Sequence, residues 1–173
     1  MSRASANHVN AVELAGQAAT IDCSLELPEL PWLIEAGALK GTRASARLRF
    51  SLFEGHPLVD VSVDGLVVMV CQRCMGPCNC EVAESASLLV VARDLEEVPG
   101  GYDAWIDDPE HMSVAGLVQE QLLLGLPLVP RHAEIADCSG VNELQDVRAS
   151  GPTLEEKQRP FANLRDLLDK SER

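Results

Sequence analysis

Four of the chain's six cysteines fall between Cys71 and Cys80, in CQRCMGPCNC, and runs that alternate apolar with polar side chains flank that segment on both sides. Before it, LVDVSVDGLVVMV sets Val59, Val61 and Val63 opposite Asp60, Ser62 and Asp64; after it, EVAESASLLVVA returns. A period of two belongs to strands with one buried face. The order strand, tight turn, strand predicts a hairpin with the cysteines at its tip. Gly65, inside the first run, is expected to bend or bulge it.

More strands precede the hairpin. In ASARLRFSLF, residues Ala44, Ala46, Leu48, Phe50 and Leu52 share one face, while Arg43, Arg47 and Arg49 stand with serines on the other. Ile21, Cys23, Leu25 and Leu27 alternate in the same way, which makes Cys23 a small buried apolar residue. Pro28 and Pro31 then open a short helix that ends near Gly37. Downstream, Ser113 is placed to cap a helix whose Val114, Leu117, Val118, Gln121 and Leu122 recur at intervals of three and four, with Pro127 and Pro130 ending it. RDLEEVPGGYDAWIDDPEH, acidic and glycine-containing, is expected to be a long exposed loop.

These elements predict an α+β fold: a predominantly antiparallel sheet able to curl toward a barrel, one packed helix near residues 113 to 125, and a short C-terminal helix. Residues 1–19 read as a flexible start, 20–138 as the domain, 139–159 as a polar linker and 160–173 as a helical motif with Phe161, Leu164 and Leu168 on one face. At 173 residues with only 3% aromatics, a single core must be built from leucine, valine and alanine.

No apolar run approaches the roughly 20 residues needed to cross a bilayer, and no secretory pattern opens the chain, so a cytoplasmic setting without membrane contact is expected. There thiols stay reduced, and clustered cysteines serve metal binding, catalysis or plain packing more readily than disulfides. Net charge is −13, unevenly spread. From Glu81 to Glu110 nine acids face one base, Arg93, whereas Ala36 to Phe53 holds Lys40, Arg43, Arg47 and Arg49 and no acid. Such a dipolar surface suits a basic or mixed partner better than indiscriminate nucleic-acid binding. No hydrolase elbow, phosphate-cradling glycine loop or metalloprotease helix occurs, so neither an enzyme nor a small-molecule substrate is expected.

Cys71 and Cys74 form a C-x-x-C pair, the spacing at which two thiolates of one turn converge on a metal such as zinc. It supplies half of a tetrahedron. Cys78 and Cys80 are one source for the other half, though a ten-residue turn has little freedom to orient four bonds; His132 and Cys138 are the other, and would pin the segment after the helix onto the hairpin. The rival is thiol redox chemistry, which the sequence supports weakly. A redox C-x-x-C opens a helix whose N-terminus lowers the thiol pKa, and here Gly76, Pro77 and a strand follow; Arg73 alone is placed to help.

Taken together, VSVDGLVVMVCQRCMGP, LVQEQLLLGLPLVPRH, the later Cys138 and the closing RPFANLRDLL resemble the YceD family of large ribosomal RNA subunit accumulation proteins, from about residue 20 onward. The resemblance implies a non-enzymatic cytoplasmic factor needed for normal levels of large-subunit (23S) ribosomal RNA. Cys71, Arg73 and Cys74 match the family's cysteine pair, Leu126, Pro127, Pro130 and His132 its second block, and Cys138 a cysteine soon after that histidine. Cys78 and Cys80 fall outside the pattern, which favours the distant pair as ligands. The cysteine-rich tail of some relatives is missing here, so no family-wide metal site carries over. With that role, Arg43, Arg47 and Arg49 become candidate contacts to ribosomal RNA phosphates, the acidic tract a candidate holder of a basic ribosomal protein or a pre-large-subunit particle, and Phe161 and Leu164 a candidate partner-binding motif. A structural zinc module serving some other protein contact is the third reading.

Overall fold

The structure, a computed structural model, describes residues 8–93 and 98–138, all within the unit Met1–Ser139. The proposed linker and the terminal motif with Phe161, Leu164 and Leu168 lie outside the described residues. The elements run β1 (His8–Val9), α1 (Ala11–Gly16), β2 (Thr20–Glu26), α2 (Pro31–Glu35), β3 (Arg43–Phe53), β4 (His56–Val70), β5 (Pro77–Val91), β6 (Asp103–Ile106), β7 (Met112–Ser113) and α3 (Val114–Gly125). Strands β2 to β6 form one sheet in chain order, antiparallel up to β5, with β6 added in parallel. The fold is therefore α+β and mostly antiparallel, as the alternation implies. The sheet does not close into a barrel: β2 and β6 stand at opposite edges and do not pair.

Local chemistry sets the register. Glu54 and Gly55 join β3 to β4 with positive φ of 49° and 83°, the backbone that a two-residue turn needs to match strand twist. Val59, Val61, Val63 and Val67 of β4 face inward beside Leu48 and Phe50 of β3; helix α3, with Leu117, Val118 and Leu122 buried, packs on β4 and β5, and α1 packs on β3 and β4. The Ser113 hydroxyl caps α3 by accepting the Gly116 N–H at 3.0 Å. Gly65 does not bulge β4, since its pairing with Ala44 and Val82 runs through without a skipped residue. Its role is to admit the helix: a Cβ at this position would strike the Leu122 side chain.

Two expectations about the chain's edges fail. Residues from His8 onward are not frayed. The Asn10 side chain caps α1 by accepting the Glu13 N–H at 2.9 Å, and Ala11 and Ala15 are buried. Six residues anchored by alanines are too short to carry a readable helical period. The acidic stretch expected as loop contains β6, whose Trp105 is buried. Its aspartates also do local work. Asp107 accepts the N–H groups of Asp108 and Ser113, each at 2.8 Å, and Asp108 accepts that of Glu110 at 3.0 Å, holding a turn instead of projecting as free charge.

Candidate metal centre

At the tip of the β4–β5 hairpin the chain folds tightly between Cys71 and Gly76. Cys71 N–H donates to the Gly76 carbonyl at 2.8 Å, Met75 N–H to the Cys71 carbonyl at 2.9 Å, and Met75 takes a positive φ of 61°. The turn directs its own amides at sulfur, with Arg73 N–H 3.4 Å from Cys71 Sγ. The segment after α3 is tied to this turn by backbone before any side chain is counted, because Gln72 N–H donates to the Pro130 carbonyl at 2.8 Å. A 3-10 turn at Ile135–Asp137 then brings Cys138 back toward the hairpin.

The outcome is a cluster of four donors. Cys71, Cys74 and Cys138 Sγ and one His132 ring nitrogen all lie within 4.8 Å of one another. Cys71 and Cys138 sulfurs are 4.0 Å apart, and His132 Nδ1 lies 3.6 Å from Cys74 Sγ and 3.4 Å from Cys138 Sγ. Zinc–sulfur bonds near 2.3 Å and zinc–nitrogen bonds near 2.0–2.1 Å give a tetrahedron with edges of roughly 3.5–3.8 Å. The observed separations bracket those edges, so the donor set fits such an ion. The fit extends outward. His132 Nε2–H donates to the Pro77 carbonyl at 3.0 Å, which orients the ring and leaves the Nδ1 lone pair facing the sulfurs. Arg73 Nη1 is 3.7 Å from Cys138 Sγ and would offset the single negative charge of a divalent ion held by three thiolates.

The thiols respond to these surroundings differently. Burial pushes Cys71 up, but N–H groups of Cys74, His132 and Arg73 and the His132 side chain outweigh it and bring the thiol down to about 5. Burial raises Cys138, helped by the neighbouring Cys74 and Cys71. Cys78 and Cys80 lie within β5, outside the cluster, and both are buried. Burial first, then the nearby Cys80 and Cys71, pushes Cys78 to about 11; burial likewise raises Cys80. Cys23 is half-buried, less enclosed than its strand position implies, and burial raises it too.

A family profile described as Large ribosomal RNA subunit accumulation protein YceD matches residues 59–168. The chain belongs to the YceD family. No curated protein and no solved structure matches it. The matched YceD region contains all four clustered side chains and begins at Val59, later than the resemblance near residue 20 implies. Arg43, Arg47 and Arg49 therefore precede it. They stand on the sheet face away from α3, exposed, each between neighbours of opposite or neutral character: Arg43 between Glu26 and Leu66, Arg47 between Asp22 and Ser62, Arg49 between Thr20 and Asp60. Arg47 Nε donates to Asp22 at 2.7 Å. Among the described residues of this YceD-family chain, no helix is long and apolar enough to cross a membrane.

The four side chains singled out from the sequence do lie together, but the sequence carried no sign of what holds them. The carbonyls of Pro77 and Pro130 are backbone groups and leave no mark in a side-chain pattern. Gln119 was missed too: fully inside, its Oε1 accepts the Trp32 N–H at 2.7 Å and its Nε2 donates to the Ala115 carbonyl at 3.1 Å, fastening α2 to α3. A glutamine on the buried face of a helix was the available signal.

Proposed function

We propose that the chain is a non-catalytic factor for the accumulation of large-subunit (23S) ribosomal RNA, acting in the cytoplasm by binding to ribosomal RNA, a basic ribosomal protein or the pre-large-subunit particle that contains them. The observation that carries this reading is the convergence of Cys71, Cys74, His132 and Cys138 from two separate stretches of the family-matched region. These residues would hold zinc. A site with four protein ligands leaves no open position for water or substrate, so the ion's contribution is to folding and rigidity. The centre would make one docking body from the hairpin tip and the segment after α3. Phe161 and Leu164 would add a contact to the partner.

The thiol redox alternative draws on the lowered pKa of Cys71. That sulfur has no solvent exposure, and the N–H bonds that lower it are those a metal-bound thiolate uses, so the metal reading accounts for it more simply. The test is depletion followed by complementation. Loss of the protein should lower mature large-subunit RNA, the wild type should restore it, and His132→Ala should restore it poorly. Protein purified without chelator should carry about one zinc per chain. Unchanged RNA on depletion would remove the role, and a metal-free wild type would remove the ligand set.

A further inference from the structure

The open face of the sheet carries a cleft that the metal centre does not use. It holds about 350 Å³ and is lined chiefly by Arg47 and Arg49 on β3, Asp60 and Ser62 on β4, and Ser85 and Ser87 on β5. Register explains its shape. Arg47, Ser62 and Ser85 stand in one row across three strands, and Arg49, Asp60 and Ser87 stand in the next but one residue along each strand, on the same face. Long guanidinium side chains form one wall, and serines on strands spaced about 4.8 Å apart leave the floor low.

The groups around the cleft keep unused bonding capacity. Ser87 donates its hydroxyl to Asp60 at 2.6 Å, and Arg47 spends its Nε on Asp22. Among the described residues, the terminal nitrogens of Arg47, the whole Arg49 guanidinium and the hydroxyls of Ser62 and Ser85 make no side-chain hydrogen bond or ion pair. Two guanidinium forks match phosphate oxygens, and a carboxylate beside hydroxyls matches a sugar hydroxyl that both donates and accepts.

We propose that this cleft binds one phosphorylated ribose, with the phosphate on Arg47 and Arg49 and the sugar hydroxyls toward Asp60, Ser62 and Ser85. The ligand is either a free ribonucleotide or a single residue of an RNA strand. Where that strand is ribosomal RNA, the inference rests on the function proposed above; the chemistry of the cleft does not. The same face confines the contact to one or two phosphates. Asp22 and Glu26 line β2 on one side of the arginines, and Asp60, Asp64 and Glu81 lie on the other, all exposed, so a backbone running farther along the sheet meets like charge. Arg43, between Glu26 and Leu66, lies outside the cleft.

The test uses the full chain and the fluorescence anisotropy of a labelled twelve-nucleotide single-stranded RNA, with DNA of the same sequence as control. RNA should bind about tenfold more tightly than DNA, with a log–log salt slope of about −0.7 to −1.4, the value for one or two phosphates on a single strand. Arg49→Ala, and Ser85→Leu, which fills the floor without altering charge, should each weaken binding about tenfold. Lys40→Ala, at an exposed base that does not line the cleft, should stay within about twofold; circular dichroism checks that all three variants fold. Displacement by equimolar ribonucleoside monophosphate assigns the free nucleotide, and displacement only in large excess assigns the RNA residue; both uphold the cleft. Absence of both RNA and nucleotide binding at low salt overturns it. So do equal competition by inorganic phosphate, a slope steeper than about −3, equal losses in Lys40→Ala and Arg49→Ala, or a wild type that binds only a lysine-rich peptide. If binding fails while depletion still lowers ribosomal RNA, the proposed role stands with a protein partner; if binding holds and depletion does nothing, the cleft outlives that role.

Discussion

The hairpin β4–β5 carries two quite different surfaces. At its tip, Cys71 and Cys74 meet His132 and Cys138 from the far side of α3, and a second layer of backbone carbonyls holds them. Along its open face, arginines, aspartates and serines meet only because neighbouring strands lie in register. The tip is a convergence of distant parts, with Cys71 and Cys138 buried and Cys74 and His132 half-buried. The open face is an array of exposed side chains, joined in pairs at Arg47–Asp22 and Ser87–Asp60. Damage at the tip should therefore reach the whole domain, and damage on the face should reach only what binds there.

With zinc held at the tip as proposed, the largest effect is expected from stripping it. Chelation should lower the melting temperature by roughly 10 °C or more, since metal binding free energy is folding free energy. Thermal melts with and without chelator measure it, and coincident melts would place tip and face on the same footing. Next comes the packing between them. Gly65→Val should cost about 1–3 kcal/mol by overpacking against Leu122, whereas Asp64→Ala, one residue away and outward, should cost less than about 0.5 kcal/mol. Chemical denaturation compares the pair.

Stability should also follow pH. In metal-free protein the folded Cys71 thiol lies near 5, below its unfolded value near 8.5. Between those values the unfolded state binds the extra proton, so stability rises with pH across the window and is lost as pH falls toward 5. Melting temperature measured from pH 5 to 8.5 should climb in the wild type and climb less in Cys71→Ser. Smallest is the Arg47–Asp22 pair, whose side chains are 65% and 64% exposed: Asp22→Asn should leave the melting temperature within error at 0.15 M salt. A measurable fall would show that the face is more than an array of independent groups.

Much of the sheet could be read from the chain alone because burial on one face imposes a period of two. The valines of β4 and the leucine and phenylalanine of β3 announced themselves that way, and Ser113 announced its cap by standing before a repeat of three and four. Elements without a period did not. Helix α1 rests on two buried alanines, and β6 is four residues long inside an acidic stretch, so neither offered enough apolar repeats to outweigh its surroundings. The glycine in β4 was legible as an exception but not as to its cause, which is a helix approaching from residues far along the chain.

Composition and spacing settled that a cysteine-tipped hairpin would stand on a leucine, valine and alanine core, because those features depend on near neighbours and on solvent. Folding in three dimensions chose His132 and Cys138 over Cys78 and Cys80, left the sheet open, and set Arg47 and Arg49 in rows with Ser62, Ser85 and Asp60. Those outcomes depend on contacts between residues distant in the chain and on carbonyls that every residue shares, and neither writes a local pattern.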